Sequence, residues 1–238
     1  MRMTVRRYRR RRTGGDSPGF TQALYPPPLF DRLEFLSQSI RQTRKTDAPF
    51  LVLVTRDNYL RVGLLQGQSL LNQCLDYETL DEALGAASHW PSARLLVDID
   101  SRTTTLIEML DALRRQSLYA PFLTPHLLIR ADDYDARLFC KAAGPFHVME
   151  RQLTAQALQH ALLEPPAAAP SRNEWFSRHE WPLLQLLAQG KSLREIALLQ
   201  NHPYSRIIYR LGCILKKLGL SHRQELFHLL THLTEFTF

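Results

Sequence analysis

Two sets of residues in this chain could do chemistry, and both lie toward its C-terminal end. The first runs from Tyr204 to Lys216. Read with a helical period, Ile207, Leu211, Ile214, Leu215 and Leu218 share one face. That leaves Tyr204, Ser205, Ile208, Tyr209, Gly212 and Lys216 on the other, with Arg206 and Arg210 at its flanks. Hydroxyls, rings and guanidinium groups on an exposed helix can hold phosphate oxygens and touch base edges. A short helix, a tight turn and a second helix of this kind is the arrangement that enters the major groove of double-stranded DNA. The second set is His222, His228 and His232, whose spacing is nearly helical. They lack cysteine or carboxylate companions at ligand spacing, so they are read as a packed helix face and no metal site is expected. The chain has no P-loop, no glycine-rich dinucleotide fingerprint and no G-x-S-x-G motif, so it is read as a non-enzyme without a cofactor.

The elements that must position the first set can be read from their ends. Ser177 with Glu180, Ser192 with Glu195 and Ser221 with Gln224 each match the capping box, in which a serine hydroxyl and a side chain three residues on satisfy amides that a helix start leaves unpaired. Gly190 and Gly219 are placed to end helices in the left-handed conformation. Asn201-His202-Pro203 stops one helix, because the residue before proline disfavours helical angles, and Pro203 can open the next. The apolar face of the 204–218 helix is expected to pack on Leu183, Leu184, Leu187, Ile196 and Leu199. Pro182 requires the first helix of this group to begin a turn later than Ser177 implies, or to lose a backbone bond.

Ahead of these helices, short apolar runs alternate with helical stretches. The runs are Phe50 to Val54, Leu95 to Ile99, His126 to Ile129 and Phe146 to Met149, separated by helical patterns at Tyr59 to Cys74, Thr104 to Arg115 and Tyr134 to Ala143. Nearly all-apolar strands between helices indicate a parallel sheet covered on both faces. The expected organisation is a basic, mostly disordered extension over 1–47, with a docking helix built on Leu29, Phe30, Leu33, Leu36 and Ile40. An α/β three-layer domain follows over 48–164, a proline-alanine linker over 165–171, and an all-α four-helix domain over 172–238.

Charge supports this division. The formal charge of +7 is carried unevenly: residues 1–12 hold seven arginines and no acid, and residues 171–238 hold nine Lys or Arg against five Glu. The middle of the chain is left acidic, which places phosphate binding in the C-terminal part and not in the α/β domain. No apolar run approaches the roughly 18 residues of a membrane span, and the N-terminal arginines are not followed by an apolar segment, so a cytoplasmic protein with no membrane partner is expected. The three cysteines, Cys74, Cys140 and Cys213, are odd in number and far apart, as reduced thiols are.

The C-terminal part resembles the LuxR/FixJ type of helix-turn-helix transcription regulator. Phe176-Ser-Arg-His-Glu-Trp-Pro-Leu-Leu-Gln-Leu-Leu-Ala-Gln-Gly190 is similar to the family's opening, Ser192-Leu-Arg-Glu-Ile-Ala197 to its supporting helix, and Ile214-Leu-Lys-Lys-Leu-Gly219 with Ser221-His-Arg-Gln-Glu-Leu226 to its close. The resemblance implies a recognition helix from Pro203 to Lys217, a dimerisation surface on the last helix, and binding to DNA as a homodimer or with another LuxR-type response regulator, with RNA polymerase as a further contact. Base-reading positions fall at Ile208, Tyr209 and Gly212. Isoleucine can touch a thymine methyl but cannot make the bidentate contacts that select guanine. Gly212 costs the helix about 1 kcal/mol relative to alanine.

The α/β domain resembles the phosphoacceptor receiver that often precedes this helical domain. Leu51-Val-Leu-Val-Thr-Arg-Asp57 is similar to its first strand, and Leu95-Leu-Val-Asp98 to the strand that ends in the phosphorylated aspartate. Receivers place two acids after the first strand to hold magnesium. This chain has Thr55 and Arg56 there, which puts the Arg56 charge where a metal would sit. Arg130 replaces a hydroxyl residue after the fourth strand, and the family's lysine falls near Glu150 or Arg151. Asp57 lies one residue late. The reading is of a degenerate receiver in which Asp98 is a polar strand-end residue and not a phosphoacceptor. The alternatives are an adaptor that binds another regulator with little DNA contact, and a phosphorylation-switched response regulator using Asp98.

Overall fold

The computed structural model describes residues 49–66, 73–90, 92–119, 125–164 and 174–234. The basic extension, the helix expected over 29–44 and the linker expected over 165–171 lie outside them. Five parallel strands, β1 (Leu51–Val54), β2 (Cys74–Tyr77), β3 (Arg94–Asp98), β4 (His126–Ile129) and β5 (His147–Glu150), form one sheet in the order β2-β1-β3-β4-β5. This is the doubly wound order of flavodoxin-like sheets. Helices α1 (Asn58–Gln66), α2 (Leu80–His89), α3 (Leu106–Tyr119), α4 (Tyr134–Ala143) and α5 (Ala155–Leu163) connect or follow the strands, and a 3-10 turn covers Ile99–Ser101.

Strand side chains alternate between the two faces. Leu51, Leu53, Leu96 and Leu128 meet Leu64 of α1 with Leu158 and Leu162 of α5. Val52, Val54, Leu95, Val97, Leu127 and Ile129 meet Ala83 and Ala87 of α2, Leu110 and Leu113 of α3, and Phe139 of α4. The result is an α/β receiver-like three-layer fold, as the near-continuous apolar strands imply. One expected element is wrong. The helix read over Tyr59 to Cys74 ends at Gln66, and Cys74 starts the edge strand β2, whose Leu75, Asp76 and Tyr77 are only half-buried. An edge strand covered on one side needs no apolar run, so its four residues carry little signal.

Four helices follow: α6 (Trp181–Ala188), α7 (Leu193–Leu199), α8 (Tyr204–Leu218) and α9 (Arg223–Thr234). Ser177 and Glu180 do exchange bonds, Glu180 N–H to Ser177 Oγ at 3.2 Å and Ser177 N–H to Glu180 Oε2 at 2.6 Å, but they close a turn ahead of the helix. Helix α6 therefore begins at Trp181, which puts Pro182 in its first turn, where the missing donor costs nothing. The box at Ser192 and Glu195 is complete. At α9 the returning side chain is Glu225, not Gln224: it accepts from the amides of Ser221 at 2.9 Å and His222 at 3.3 Å.

This helical part rests on the α3–α4 side of the sheet, and buried apolar residues run continuously between them. Phe139 of α4, Phe176 and Trp181 form a ring cluster with centroids 5.4 to 6.2 Å apart. The Trp181 indole donates to Asp111 of α3 at 2.8 Å. The Arg114 guanidinium lies 4.5 Å from the Trp181 ring centre and donates to the carbonyls of Ala143 and Phe176. Arg114 thus caps the last turn of α4 and ties down the segment that enters α6. No helix among the described residues is long and apolar enough to cross a membrane.

Candidate functional site

Helix α8 is set by its two ends. Asn201 takes a left-handed conformation with φ of 50° that breaks the chain out of α7, Pro203 opens the helix, and Gly219 ends it with φ of 65°. Ile207, Leu211, Ile214 and Leu218 are buried against the other helices, as their spacing implies. Leu199 is not part of that core: with Leu198 it is exposed, at 63% and 81%, because α7 turns Ile196 and Ala197 inward instead.

The outer face of α8 carries Tyr204, Ser205, Arg206, Ile208, Tyr209, Gly212 and Lys216, all exposed. Arg210 is half-buried, and its guanidinium donates to Gln200 Oε1 at 3.1 Å. Lys217, one residue past Lys216, is turned inward onto Glu180 and the Trp175 carbonyl, each at 2.6 Å. Helix α8 also borders α4, yet the α/β domain leaves its outer face uncovered. Lys191 and Arg194, at the start of α7, add exposed cations to the same domain.

A second cluster lies at the C-terminal edge of the sheet, between β1 and β3, where the strand order switches direction and such folds bind their ligands. Asp98 closes β3 with its side chain fully buried. Its Oδ2 accepts from the Thr55 hydroxyl at 2.8 Å, and its Oδ1 accepts from the Asp100 amide at 3.3 Å and from Arg151 Nε at 3.1 Å. The far nitrogen of Arg151, Nη2, is 3.4 Å from Asp98 Oδ2 and also donates to Asp57. Asp57 in turn accepts from the amides of Tyr59 and Leu60 at the start of α1. Asp100 stands 3.8 Å from Arg151 and 3.9 Å from Arg130, which also pairs with Asp132.

This overturns two expectations. Arg56 is not the central cation: its side chain is exposed, and only its amide engages the cluster, donating to Ser101 Oγ at 3.2 Å. Thr55 turns inward, so Arg56 turns out. The cation is Arg151, just past β5, whose long side chain reaches across two strands. Asp57 also joins the cluster despite its late position, because it folds back as the cap of α1. Neither fact is visible in the spacing, since both depend on where loops after different strands converge.

The electrostatics follow from the packing. Burial pushes the Asp57 carboxyl up, but the amides of Leu60 and Tyr59 and the Arg151 charge together hold it below the ordinary carboxylate value. Asp100 is raised, by burial first and then by the neighbouring Asp98. Burial alone would lower Arg151, yet Asp98, Asp57 and Asp100 raise it, so its charge is permanent. A carboxylate that attacks a phosphoryl donor needs an accessible oxygen, and both oxygens of Asp98 are occupied from within.

No family model matches the chain. The Fimbriae Y protein of Salmonella typhimurium (strain LT2) is 32% identical over 234 residues, covering 98% of this chain and 97% of that protein. Among solved structures, RcsB of Salmonella enterica serovar Typhimurium bound to promoter rprA is 16% identical, with a TM-score of 0.40 over 78% of this chain and 99% of RcsB. Full-length FixJ from B. japonicum is 17% identical, with a TM-score of 0.41 over 77% of this chain and 96% of FixJ. With identity sustained along nearly the whole of both chains, this protein belongs to the family of the Fimbriae Y protein.

Proposed function

We propose that this chain is a bacterial transcription regulator that binds double-stranded DNA through α8. The observation that carries this reading is the exposed outer face of α8, held rigidly by a buried inner face and left open by the α/β domain. Tyr204, Ser205, Arg206, Ile208, Tyr209, Gly212 and Lys216 are the contacting residues, with Arg210 at the edge. Binding needs no phosphorylation of Asp98, because Arg151 already supplies the positive charge that a metal would bring to the cluster. The protein acts in the cytoplasm as a homodimer or beside another LuxR-type response regulator, and contacts RNA polymerase. The outward side of α9, with Phe227 partly exposed, supports such pairing.

Mapping of binding sites across the genome, with the intact protein and with an Arg206→Ala/Arg210→Ala variant, tests this. A shared sequence motif lost in the variant is the expected result. A second reading, an adaptor recruited by another regulator, is favoured by the exposed leucines Leu198 and Leu199 on α7. It predicts sites that survive in the variant and vanish when the partner regulator is deleted.

A further inference from the structure

Resting on α8 as the DNA-reading helix, we infer that Ile208, Tyr209 and Gly212 select thymine-rich sequence through thymine methyl groups, with Gly212 the point where the helix comes closest to the bases. Four cations lie on α8, and two are bonded within the chain: Arg210, at the edge of the outer face, by Gln200, and Lys217 by Glu180 and the Trp175 carbonyl. The two left on the outer face, Arg206 and Lys216, are ten residues apart, about 15 Å along the helix, beyond the roughly 12 Å width of the major groove. They are spaced to meet phosphates on either side of it, in keeping with the net positive charge of this part of the chain.

Between those cations the only paired donors able to recognise guanine O6 and N7 are those of Arg210, a half-buried side chain whose guanidinium is engaged by Gln200 at the edge of this face. Ile208 is 40% exposed and offers only methyl groups, and Tyr209 is 73% exposed and offers a ring with one hydroxyl. Such a surface distinguishes bases by contact with the 5-methyl of thymine, the one apolar group on the major-groove edge.

At Gly212, as at the helical Gly63 and Gly85, a Cβ would meet nothing within 4 Å and φ is not left-handed, so neither packing nor backbone geometry among the described residues requires glycine; what sets Gly212 apart is its place on the outer face of α8. Alanine would suit the helix better. What an absent side chain does provide is close approach of the helix backbone to something outside the chain.

The test uses the full chain and a duplex obtained by repeated selection from a random-sequence library. Selected sites rich in thymine are expected. Replacing a contacted thymine by deoxyuridine, which removes only the methyl, should weaken binding about fourfold, the value of burying one methyl converted at a tenfold change per 1.4 kcal/mol. In Ile208→Ala the thymine and deoxyuridine duplexes should bind alike at the position it reads. Gly212→Ala should raise the melting temperature while lowering affinity, a pairing that a purely structural role would not produce. Equal affinity for both duplexes in the intact protein, or selected sites dominated by guanine contacts, would overturn the inference while leaving DNA binding in place. No enrichment of any duplex would overturn the DNA-reading assignment itself.

Discussion

Replacing Arg151 by alanine removes the one group that joins the three carboxylates at the sheet edge. Asp98 would keep the Thr55 hydroxyl and the Asp100 amide but lose its one cationic partner among the described residues while fully buried. Breaking a buried ion pair from one side costs about 3–5 kcal/mol. Arg151 is a quarter exposed, so water would enter the space it leaves, and about 2–3 kcal/mol is a better figure. For a unit of this size that is a fall of roughly 5–10 °C in melting temperature. Arg151→Lys keeps the charge but cannot bridge Asp98 and Asp57 with two nitrogens, so it should lose about half as much. Urea unfolding followed by tryptophan fluorescence measures both. Adding Asp98→Asn to Arg151→Ala should recover part of the loss, since the uncompensated charge is then gone. An Arg151→Ala loss under about 0.5 kcal/mol, or strict additivity with Asp98→Asn, would refute the view that Arg151 holds this cluster together.

Three further outcomes are expected. Incubation with a small phosphodonor and magnesium should leave Asp98 unmodified by mass spectrometry and DNA affinity unchanged; a stable phosphoryl adduct would reverse the reading of the cluster. Burial, and then the Arg94 charge, lower His147 below the ordinary imidazole value of 6.5, so the folded chain binds a proton there less readily than the unfolded one. Its contribution to stability is therefore complete above that pH and declines as pH falls below it, and His147→Gln should flatten urea midpoints measured between about pH 7 and 5. Asp111→Ala leaves the buried Trp181 indole without its acceptor and should cost about 1–3 kcal/mol, visible as a shift in the tryptophan emission and in the thermal midpoint.

Much of this architecture was legible from periodicity. The runs ending at Val54 and Ile129 and the helix over Tyr134 to Ala143 are where the continuous apolar runs and the helical period place them, because buried strands and amphipathic helices write their environment into every residue. The Ser192 box and the glycines at 190 and 219 read correctly because capping is local chemistry. Edge strand β2 and helices α2 and α5 carried no comparable signal; α2 is packed through the small residues Ala83 and Ala87, and α5 buries only Leu158 and Leu162. In the sheet-edge cluster, the bonded pairs Thr55–Asp98, Asp98–Arg151 and Asp57–Arg151 are 43, 53 and 94 positions apart, and no spacing rule reveals that Arg151 arrives between Asp98 and Asp57. The outer face of α8 could be listed from its period, but the bonding of Arg210 and Lys217 depends on Gln200 and Glu180, which lie on neighbouring elements.

The ring cluster of Phe139, Phe176 and Trp181 bears on how the molecule opens. Many two-domain chains exchange amide hydrogens by partial opening, one half loosening while the other stays closed. Here the Phe176 amide is bonded to the Ala142 carbonyl at 2.7 Å, and the apolar residues behind it belong to both halves. Separating the halves would expose three aromatic side chains at once, so the Phe176 amide is released to solvent only when residues on both sides of the junction unfold together. A chain cut near residue 174 would carry Phe176 and Trp181 without the Phe139 ring that packs on them, and so would expose an apolar patch prone to aggregation.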